Sequence, residues 1–459
     1  MEPNTAATIV ILGLARQGKA LAGFFAALGW HVIVSDVRKP GALQATLADL
    51  RDLPIDYALG GHPMILLDGC DLLCLSGGVP ADLPIVAEAV RRGIPVSNDA
   101  QEFVERCPAP IVGITGSAGK TTTTTLVGEI LQTAGFTTWV GGNIGNPLIG
   151  DLAVIQPDHR VVMELSSFQL ELMHVSPQVA GVLNITPNHL DRHKTMEAYV
   201  AAKRHIVAHQ RADDIAVLGY DEPNAQALSA ATPAQVRYFS GRTTVATGAF
   251  LRGDTLVLVR DGRETDVVHR SDIQLRGFHN VMNVLAAITL ADAAGAPVSA
   301  MRQAIRGFTG VEHRLEVVRR RNGVLWINDS IATAPERVLA ALRSFEEPLI
   351  LLAGGRDKDL PWQAFAEIVV QRVRAIVLFG EAANLIGGYV EGALAHAEPE
   401  NVTLEKIIAA GTLENAIHEA ARIAQPGDVV LLSPGGTSFD AYRDFTERGE
   451  HFRQLVGEL

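Results

Sequence analysis

The chain has 459 residues, of which 47% are hydrophobic and 20% charged, a composition typical of a soluble globular protein with about two or three domains. Its net charge of −12 argues against binding to nucleic acid or to an anionic membrane, so a phosphorylated ligand needs local positive groups or a metal ion. Three cysteines are too few for a disulfide framework and suit a reducing compartment.

The first segment alternates apolar strands with helical patterns. "TIVILG", "HVIVSD" and "DLLCLSGGV" are typical of strands, and "GKALAGFFAALG" and "PIVAEAVRRG" of helices. This alternation predicts parallel βαβ units, hence a Rossmann-like domain. Cys70 and Cys74 lie in an apolar run and are expected in the core rather than on a metal. The N-terminus shows no basic leader, and no apolar run reaches membrane length, which predicts a cytoplasmic protein.

The first strand-to-helix turn, "ILGLARQGKA", only partly matches a dinucleotide fingerprint. Gly13 and Gly18 lie between a strand and a helix, and Asp36 ends the next strand, but the three-glycine spacing is absent. NAD binding is therefore a weak alternative. A diphosphate at the helix N-terminus and a ribose or base at Asp36 remain expected, with the loop 76–80 facing the same crevice.

The stretch "VGITGSAGKTTTTTLVGEIL" predicts a phosphate site. An apolar strand enters it and an amphipathic helix leaves it, so unpaired N–H groups and the helix dipole attract anions. Ile114 stands where the common P-loop has its first glycine. Gly116 and Gly119 still allow backbone amides to approach a triphosphate, Lys120 reaches its β and γ phosphates, and the Thr121 hydroxyl is suited to magnesium. A tight turn with a surface lysine is the alternative.

Polar residues end the next two predicted strands. Glu164 follows "RVVM" and is expected to hold the cation that accompanies a nucleotide triphosphate, with helix capping as the alternative. His189 and His193 are four residues apart near Asp191, but no cysteine or third histidine stands at zinc-ligand spacing, so His189 beside magnesium is preferred to zinc. The ordinary interpretation of Lys203, within a helix, is a surface lysine.

The same alternation continues to the C-terminus. A boundary is expected near Pro108, and the middle segment runs into shorter polar strands such as "DTLVLVRDG", which predict a small extra sheet. The last segment contains "VLWINDS", "PLILLAGG", "RAIVLFG" and "DVVLLSP", each followed by a helical pattern. The prediction is three α/β domains, over residues 1–108, 109–311 and 312–459: a Rossmann-like domain, a central P-loop-type domain and a second Rossmann-like domain.

Three loops of the last segment gather polar residues beyond predicted parallel strands. They are "WINDSIAT", "AGGRDKD" and "SPGGTSFD". Open α/β sheets bind ligands at the carboxyl ends of their strands, so these loops are expected to form a binding site.

Taken together, these motifs resemble the Mur ligase family over essentially the whole chain. The resemblance rests on "GITGSAGKT", "GGNIGNP", "ELSSFQLE", "NITPNHLDRH", "AAKRHI", "GFHNVMN", "EHRLE", "NDSIAT" and "LLSPGGTSFD". It is closest to the glutamate-adding member and implies an ATP- and Mg²⁺-dependent ligase that adds D-glutamate to UDP-N-acetylmuramoyl-L-alanine through an acyl phosphate, in peptidoglycan precursor synthesis. It also implies a monomer without nucleic-acid or membrane partners, whose third domain closes over the other two.

The resemblance also implies roles for individual residues. Lys120, His189 and Lys203 are expected to be catalytic, and Lys203 matches a lysine that carries a carbamate in this family. ATP is expected at Gly116, Ser117, Ala118, Gly119, Lys120, Thr121, Thr122, Asn280, Asn283, Arg314 and Asp329. The UDP substrate is expected at Leu14, Asp36, Val37, Ser76, Gly77, Gly78, Asn143 and His189. The amino acid is expected at Thr333, Lys358, Ser438 and Phe439, and the metal at Thr121, Glu164, His189 and, if carbamylated, Lys203.

One residue departs from the family pattern. Ile331 in "NDSIAT" stands where the D-glutamate ligases have a lysine, so a cation near a dianionic substrate is missing. L-glutamate or another amino acid therefore remains an alternative substrate, as does a ligase of the folylpolyglutamate type, although the first domain with Asp36 argues against the latter. A nucleotide-hydrolysing module without ligase activity is a more distant alternative.

Overall fold

The computed structural model describes residues 7–459, so residues 1–6, at which the first predicted domain begins, lie outside the described part of the chain. The described residues form two compact units. The first unit comprises residues up to 273 together with 278–308, and the second comprises 274–277 and 309–459. The first unit carries two sheets and the second carries one, which gives three α/β domains, as predicted. The exact boundaries proposed from the sequence stay a prediction.

The first domain has a five-stranded parallel sheet in the order β3-β2-β1-β4-β5. Its strands are β1 (Thr8–Leu12), β2 (His31–Asp36), β3 (Ile55–Leu59), β4 (Leu72–Leu75) and β5 (Val96–Asn98). Its helices are α1 (Arg16–Ala27), α2 (Gln44–Asp49), α3 (Pro84–Arg91) and α4 (Asp99–Arg106). The central strands β1 and β4 are almost wholly apolar because helices cover both faces of a parallel sheet. Cys70 and Cys74 are buried in this core, which confirms their predicted role.

The central domain has a nine-stranded sheet in the order β14-β13-β12-β11-β10-β9-β6-β8-β7. Its strands are β6 (Ile111–Thr115), β7 (Thr138–Gly142), β8 (Arg160–Glu164), β9 (Val179–Val182), β10 (Ile215–Gly219), β11 (Gln235–Ser240), β12 (Gly248–Arg252), β13 (Thr255–Arg260) and β14 (Arg263–His269). Its helices are α5 (Lys120–Thr133), α6 (Ser167–Leu170), α7 (Leu190–His193), α8 (Met196–Ala208), α9 (Pro223–Gln226), α10 (Phe278–Ala293) and α11 (Val298–Gly307).

The short polar strands of the central domain correct one expectation. They form no separate small sheet, because β12 pairs in parallel with β11 and so extends the main sheet. β13 and β14 then add to it as antiparallel hairpins. The sequence pattern indicated short strands here, of which it named β13, but it did not indicate their place in the sheet, since pairing is decided by contacts between segments distant along the chain.

The third domain has a six-stranded sheet in the order β15-β16-β20-β17-β18-β19, parallel except for the β15–β16 pair. Its strands are β15 (Glu316–Arg321), β16 (Val324–Asn328), β17 (Leu349–Gly354), β18 (Val373–Phe379), β19 (Lys406–Gly411) and β20 (Val429–Gly435). Its helices are α12 (Pro335–Leu342), α13 (Gln363–Arg372), α14 (Ala383–His396), α15 (Leu413–Ile423) and α16 (Phe445–Glu458). Within residues 7–459, every helix is too short or too polar to cross a bilayer.

Candidate active site

The loop between β6 and α5 has the geometry of a phosphate cradle. Gly119 lies in the left-handed region, with φ of +85°, and α5 begins at the next residue. A Cβ at this position would lie 2.2 Å from Asn283 Oδ1, so both the backbone angle and the close approach require glycine. The positive end of the α5 dipole therefore faces the loop.

A residue that sequence reasoning missed, Asn184, holds this loop. Its side-chain oxygen accepts a hydrogen bond from Ala118 N at 2.9 Å, and its Nδ2 donates to Ala118 O at 3.1 Å. Its backbone carbonyl accepts from Ser117 N. Asn184 lies just beyond the end of β9, the neighbour of β6, and its position as the first polar residue after an apolar run was the available signal.

Three predicted site residues meet at the start of α5. Thr121 Oγ1 donates to Glu164 Oε2 at 2.8 Å, and Asn143 Nδ2 donates to Glu164 Oε1, also at 2.8 Å. Glu164 is buried at the end of β8. Lys120 folds back over the loop, and its Nζ donates to Gly116 O at 2.9 Å. The alternative of a helix-capping Glu164 is wrong, because Ser166 supplies the side-chain cap of α6.

Lys203 is not a surface lysine. Only 1% of its surface is exposed, because α8 packs this side chain against the sheet below the phosphate loop. Its Nζ donates to Thr115 Oγ1 at 3.1 Å and to Gly116 O at 3.2 Å. Burial lowers the pKa of the Lys203 ammonium well below its usual value, and the nearby Lys120 charge adds to the effect against the opposing influence of Glu164.

The two histidines that follow β9 differ in exposure. His189 has a positive φ of 53° at the start of α7 and is exposed, with its ring 5.3 Å from that of Phe168. His193 is buried, its ring stacks on that of Phe168 at 5.2 Å, and its Nε2 lies 2.9 Å from Ser167 Oγ. The preference for His189 beside magnesium over a zinc pair stays a prediction.

Two asparagines of α10 approach the same loop. The Asn283 side chain is nearly buried beside Gly119, and its Nδ2 donates to Asn280 Oδ1 at 2.9 Å. The two amides are one helical turn apart and share one face of α10. The structure therefore brings Asn280 and Asn283 to the phosphate loop.

In the first domain, Asp36 is fixed by its neighbours. Its Oδ2 accepts from Leu14 N at 2.7 Å, and the Arg38 guanidinium donates to both carboxylate oxygens. The hydrogen bond from Arg38, together with that from Leu14, holds the pKa of Asp36 far below its usual value despite burial. Val37 between them is exposed. The Asp36 carboxyl group therefore stays ionised, and it lies beside an exposed turn.

Ser76 and Gly77 line a narrow cleft whose other wall comes from the central domain, where Phe168, Gln169 and Arg192 contribute. Ser76 Oγ is buried without a hydrogen-bond partner among the described residues. An unsatisfied buried hydroxyl is costly, so this hydroxyl is suited to a partner such as water or a ligand group. Gly78 follows, exposed, at the rim.

The predicted residues of the second unit form their own cluster. Asp329 is buried at the end of β16, where it accepts from Ser433 Oγ at 2.8 Å and from Leu315 N at 3.2 Å. Burial raises the pKa of Asp329 to about 7, although these hydrogen bonds oppose the shift. Arg314 lies close enough for its charge to stabilise the ionised form of this carboxyl.

The turns predicted to hold an amino acid contain both buried and exposed residues. Ser438 is buried and Thr333 half-buried, whereas Lys358 is exposed and Phe439 is 60% exposed. A residue that sequence reasoning missed, Arg448, connects two of these turns from within the domain.

The Arg448 side chain is fully buried, and burial lowers its pKa to about 10. Its guanidinium donates to Ser330 O at 2.8 Å, to Ser330 Oγ at 3.0 Å and to Gly436 O at 3.2 Å. One arginine thus ties the "NDSIAT" turn to the "SPGGTSFD" turn. An arginine within α16 gave no signal in the sequence that distinguished it from a surface residue.

Comparisons with known proteins cover most of the chain. Family models match in succession: the Mur ligase MurD-like N-terminal domain at residues 7–98, the Mur ligase middle domain at 114–291 and the Mur ligase glutamate ligase domain at 313–436. The UDP-N-acetylmuramoylalanine--D-glutamate ligase of Symbiobacterium thermophilum is 43% identical over 98% of this chain and 97% of its own length. The chain belongs to the Mur ligase family.

Further relatives extend the comparison. The UDP-N-acetylmuramoylalanine--D-glutamate ligase of Acetivibrio thermocellus is 40% identical over 98% of this chain and 96% of its own length. The crystal structure of the UDP-N-acetylmuramate-alanine ligase from Thermotoga maritima superposes with a TM-score of 0.56 at 19% identity, covering 98% of this chain and 99% of that one. That structure shares the fold.

One further contact of this Mur ligase was invisible in the sequence. Arg16, the first residue of α1, donates to Gly145 O at 2.5 Å and to Asn143 O at 3.1 Å. It thereby links the first domain to the loop that carries Asn143. No local pattern indicates such a contact, because its partner is more than 120 residues away along the chain.

Proposed function

We propose that this Mur ligase uses ATP to join D-glutamate to the alanine carboxyl of UDP-N-acetylmuramoyl-L-alanine, in the synthesis of peptidoglycan precursors. The observation that carries the proposal is the contact of Thr121 with Glu164 at the start of α5, beside Lys120. That arrangement suits a nucleotide triphosphate with its cation. The near full-length relatives at about 40% identity are named for the D-glutamate reaction.

The oxygen-rich end of the site fits magnesium. A hydroxyl and a carboxylate meet at Thr121 and Glu164, and Mg²⁺ prefers such hard oxygen donors. Asn143 Nδ2 donates to the same carboxylate and orients it. Thr121 and Glu164 would hold the ion beside the phosphates, with His189 near a second ion. Bound there, magnesium would neutralise charge on the transferring phosphoryl group.

Lys203 has the environment that a carbamate requires. Only a neutral amine attacks CO₂, and burial lowers the Lys203 pKa in the required direction. The product, a carbamate anion, replaces a cation that repels magnesium with a group that attracts it. We therefore propose that Lys203 is carbamylated and contributes to the metal site.

The UDP substrate is assigned to the first domain and the cleft that leads from it. Asp36 with the Leu14–Val37 turn provides a fixed carboxylate for a ribose or base, and Ser76 Oγ offers an unused donor to the diphosphate. Gly77 and Gly78 leave room for backbone contact, and Phe168, which lines the cleft, lies against the His189 ring. The acceptor carboxylate would thereby reach the phosphate loop.

The amino acid is assigned to the turns of the third domain, at Thr333, Lys358, Ser438 and Phe439. Ile331 provides no charge there. Arg337 is exposed, and its Nη1 donates to Ile331 O at 3.3 Å. A guanidinium therefore lies next to the position that is a lysine in D-glutamate ligases. Arginine binds carboxylates in a bidentate manner, which suits a dianionic amino acid.

The chemistry follows from these positions. An oxygen of the alanine carboxylate attacks the γ-phosphorus of ATP, ADP departs, and an acyl phosphate forms while Lys120 and the α5 N-terminus stabilise the transferring charge. The amine of glutamate then attacks the acyl carbon. The tetrahedral intermediate expels inorganic phosphate, and the amine loses a proton to leave the amide.

A product assay tests the proposal. The enzyme is incubated with ATP, Mg²⁺ and UDP-N-acetylmuramoyl-L-alanine and offered D-glutamate, L-glutamate or other amino acids in turn, and the products are identified by mass spectrometry. We expect a product with D-glutamate and stoichiometric phosphate release. Phosphate release in the absence of both substrates would indicate a simple nucleotide hydrolase. Addition of glutamate to a folate, offered in place of the UDP substrate, would indicate the folylpolyglutamate type.

We further propose that the protein acts in the cytoplasm, where ATP and the UDP substrate are available, and that it is a monomer. Sedimentation velocity across a range of protein concentrations checks the second point: one species of about 49 kDa is expected, and a larger species whose share rises with concentration would contradict it.

A further inference from the structure

Three histidines of the central domain converge away from the phosphate loop. His205 lies in α8, His209 directly follows that helix, and His174 lies in the loop after α6. One nitrogen of each ring lies within 4.8 Å of the other two. The ring centroids of the three pairs are separated by 5.7, 6.2 and 6.5 Å.

The backbone at these positions is held in place by other contacts. Ser176 Oγ donates to His205 O at 2.9 Å and accepts from His209 N at 3.1 Å, so one hydroxyl ties the loop to the end of α8. His174 N donates to Gln101 Oε1 at 2.8 Å. The fold therefore fixes the backbone positions from which the three rings converge.

The hydrogen bonding of His205 prepares it as a ligand. Its Nδ1 lies 2.7 Å from Met173 O, and since a carbonyl only accepts, Nδ1 carries the proton. Nε2 is then left with a lone pair. Metal-bound histidines typically have this arrangement, in which one ring nitrogen donates to a backbone carbonyl and the other binds the metal.

The surroundings leave the cluster open to solvent. His174 and His209 are exposed and His205 is half-buried, so an ion can enter. Glu171, the acidic group that interacts with His205, stands beside the cluster.

We propose that His174, His205 and His209 form a site for one transition-metal ion of the class that prefers imidazole, with Zn²⁺ as the natural candidate. Three histidines with water in a fourth position form a common zinc geometry, and zinc–nitrogen bonds measure about 2.0–2.1 Å. In a tetrahedral site two such nitrogens lie about 3.3–3.4 Å apart, so rotations of the rings that bring the nitrogens closer by up to about 1.5 Å complete the site.

The bound ion would clamp the loop after α6 to the end of α8. Because α8 also carries Lys203, the clamp would stabilise the helix that holds this lysine under the phosphate loop. The metal is assigned a structural role, so the site stands whether or not the proposed ligase reaction is correct.

Metal titration of the untagged full chain tests this site. After removal of metals with a chelator, Zn²⁺ is titrated by calorimetry, and Co²⁺ is added in a parallel experiment to follow its visible absorption. We expect one Zn²⁺ per chain, a Co²⁺ spectrum typical of a four-coordinate site, and no displacement by excess Mg²⁺, because Mg²⁺ prefers oxygen ligands.

Variants locate the ion. His174→Ala and His209→Ala are each expected to weaken Zn²⁺ binding by about 10- to 100-fold and to abolish the rise in Tm that Zn²⁺ gives the parent chain. His418→Ala, at an exposed position in α15 of the other unit, is the matched control and should bind normally. Glu164→Gln should also bind normally.

Two results would overturn the proposal. One is the absence of micromolar Zn²⁺ binding by the parent chain, and the other is unchanged binding by both His174→Ala and His209→Ala. Loss of binding in Glu164→Gln alone would place the ion at the phosphate loop instead. His205 is left unchanged in these variants because it lies two residues from Lys203.

Discussion

The phosphate end of the central domain and the amino-acid turns of the third domain are built differently. At the phosphate end, Lys203 and Glu164 are buried, and they are already hydrogen-bonded to the loop or to other predicted site residues. In the third domain the buried charged residue is Arg448, which holds two turns together, whereas Lys358 and Phe439 on the predicted amino-acid turns are exposed.

This difference suggests separate roles: the phosphate end would carry out phosphoryl transfer, and the turns would select the amino acid. Phosphoryl transfer gains from charges fixed in advance, because no reorganisation is then needed in the transition state. On the proposed assignment, recognition of the amino acid relies on side chains of surface turns, and such turns tolerate sequence changes. Changes at the phosphate end should therefore affect the rate of catalysis, and changes at the turns should affect substrate affinity.

The largest effect is expected for Lys120→Ala. Removal of a fixed positive group from the transferring phosphate should lower kcat by about 10³-fold or more. Phosphate release in the presence of both substrates measures the change. Lys406→Ala, at an exposed position in β19, is the control, and an active Lys120→Ala enzyme would remove the phosphate loop from the mechanism.

Lys203→Met should separate activity from stability. We expect kcat to fall by at least about 10²-fold, because the carbamate is lost. The free energy of unfolding in CO₂-free buffer should rise by about 1–2 kcal/mol, since an apolar chain replaces a buried amine. Chemical denaturation and the activity assay check both. A variant that is both active and less stable would contradict the role proposed here.

The pH dependence of stability sharpens the account of the third domain. The folded-state pKa of Asp329, about 7, is higher than that of an unfolded Asp, so the folded protein binds the extra proton between about pH 4 and 7. The free energy of unfolding should therefore decrease as pH rises through this window, by up to about 1.4 kcal/mol per pH unit from this group.

Asp329→Asn should remove that contribution to the slope. Denaturation curves at several pH values compare it with the parent chain and with Asp213→Asn, an exposed control. Parallel pH profiles for the parent and Asp329→Asn would show that this carboxyl does not titrate as described.

A smaller effect, confined to affinity, is expected at the amino-acid turns. Arg337→Ala should raise KM for D-glutamate by about 10-fold, the equivalent of one charge-assisted hydrogen bond, with little change in kcat. Ile331→Lys in the Arg337→Ala background should restore part of the affinity. Steady-state kinetics at saturating ATP measure both. An unchanged KM in Arg337→Ala would mean that glutamate is held by other groups.

The sequence predicted most of the parallel strands because both faces of such strands are buried, which leaves continuous apolar runs such as that of β1. It missed edge strands, including β3 and β19, whose half-exposed residues give no such run. It also predicted a separate small sheet, because strand order depends on contacts that local patterns do not contain.

The candidate site was also only partly predictable from the sequence. Gly119, Lys120 and Glu164 could be predicted from their spacing and from their positions after apolar strands. The positions of Asn184 and Arg448, and the burial of Lys203, were not, because each depends on packing between distant segments. The three-histidine cluster escaped for the same reason, since His174 lies 31 and 35 residues from its partners along the chain.

The central claim is that the loop at Gly116–Thr121 makes a carboxyl group reactive by phosphorylation, and isotope transfer tests it most directly. UDP-N-acetylmuramoyl-L-alanine labelled with ¹⁸O in the alanine carboxylate is turned over with ATP and D-glutamate. An acyl phosphate requires one ¹⁸O atom to appear in each inorganic phosphate. Unlabelled phosphate, with one ¹⁸O atom lost to water for each amide formed, would contradict the account.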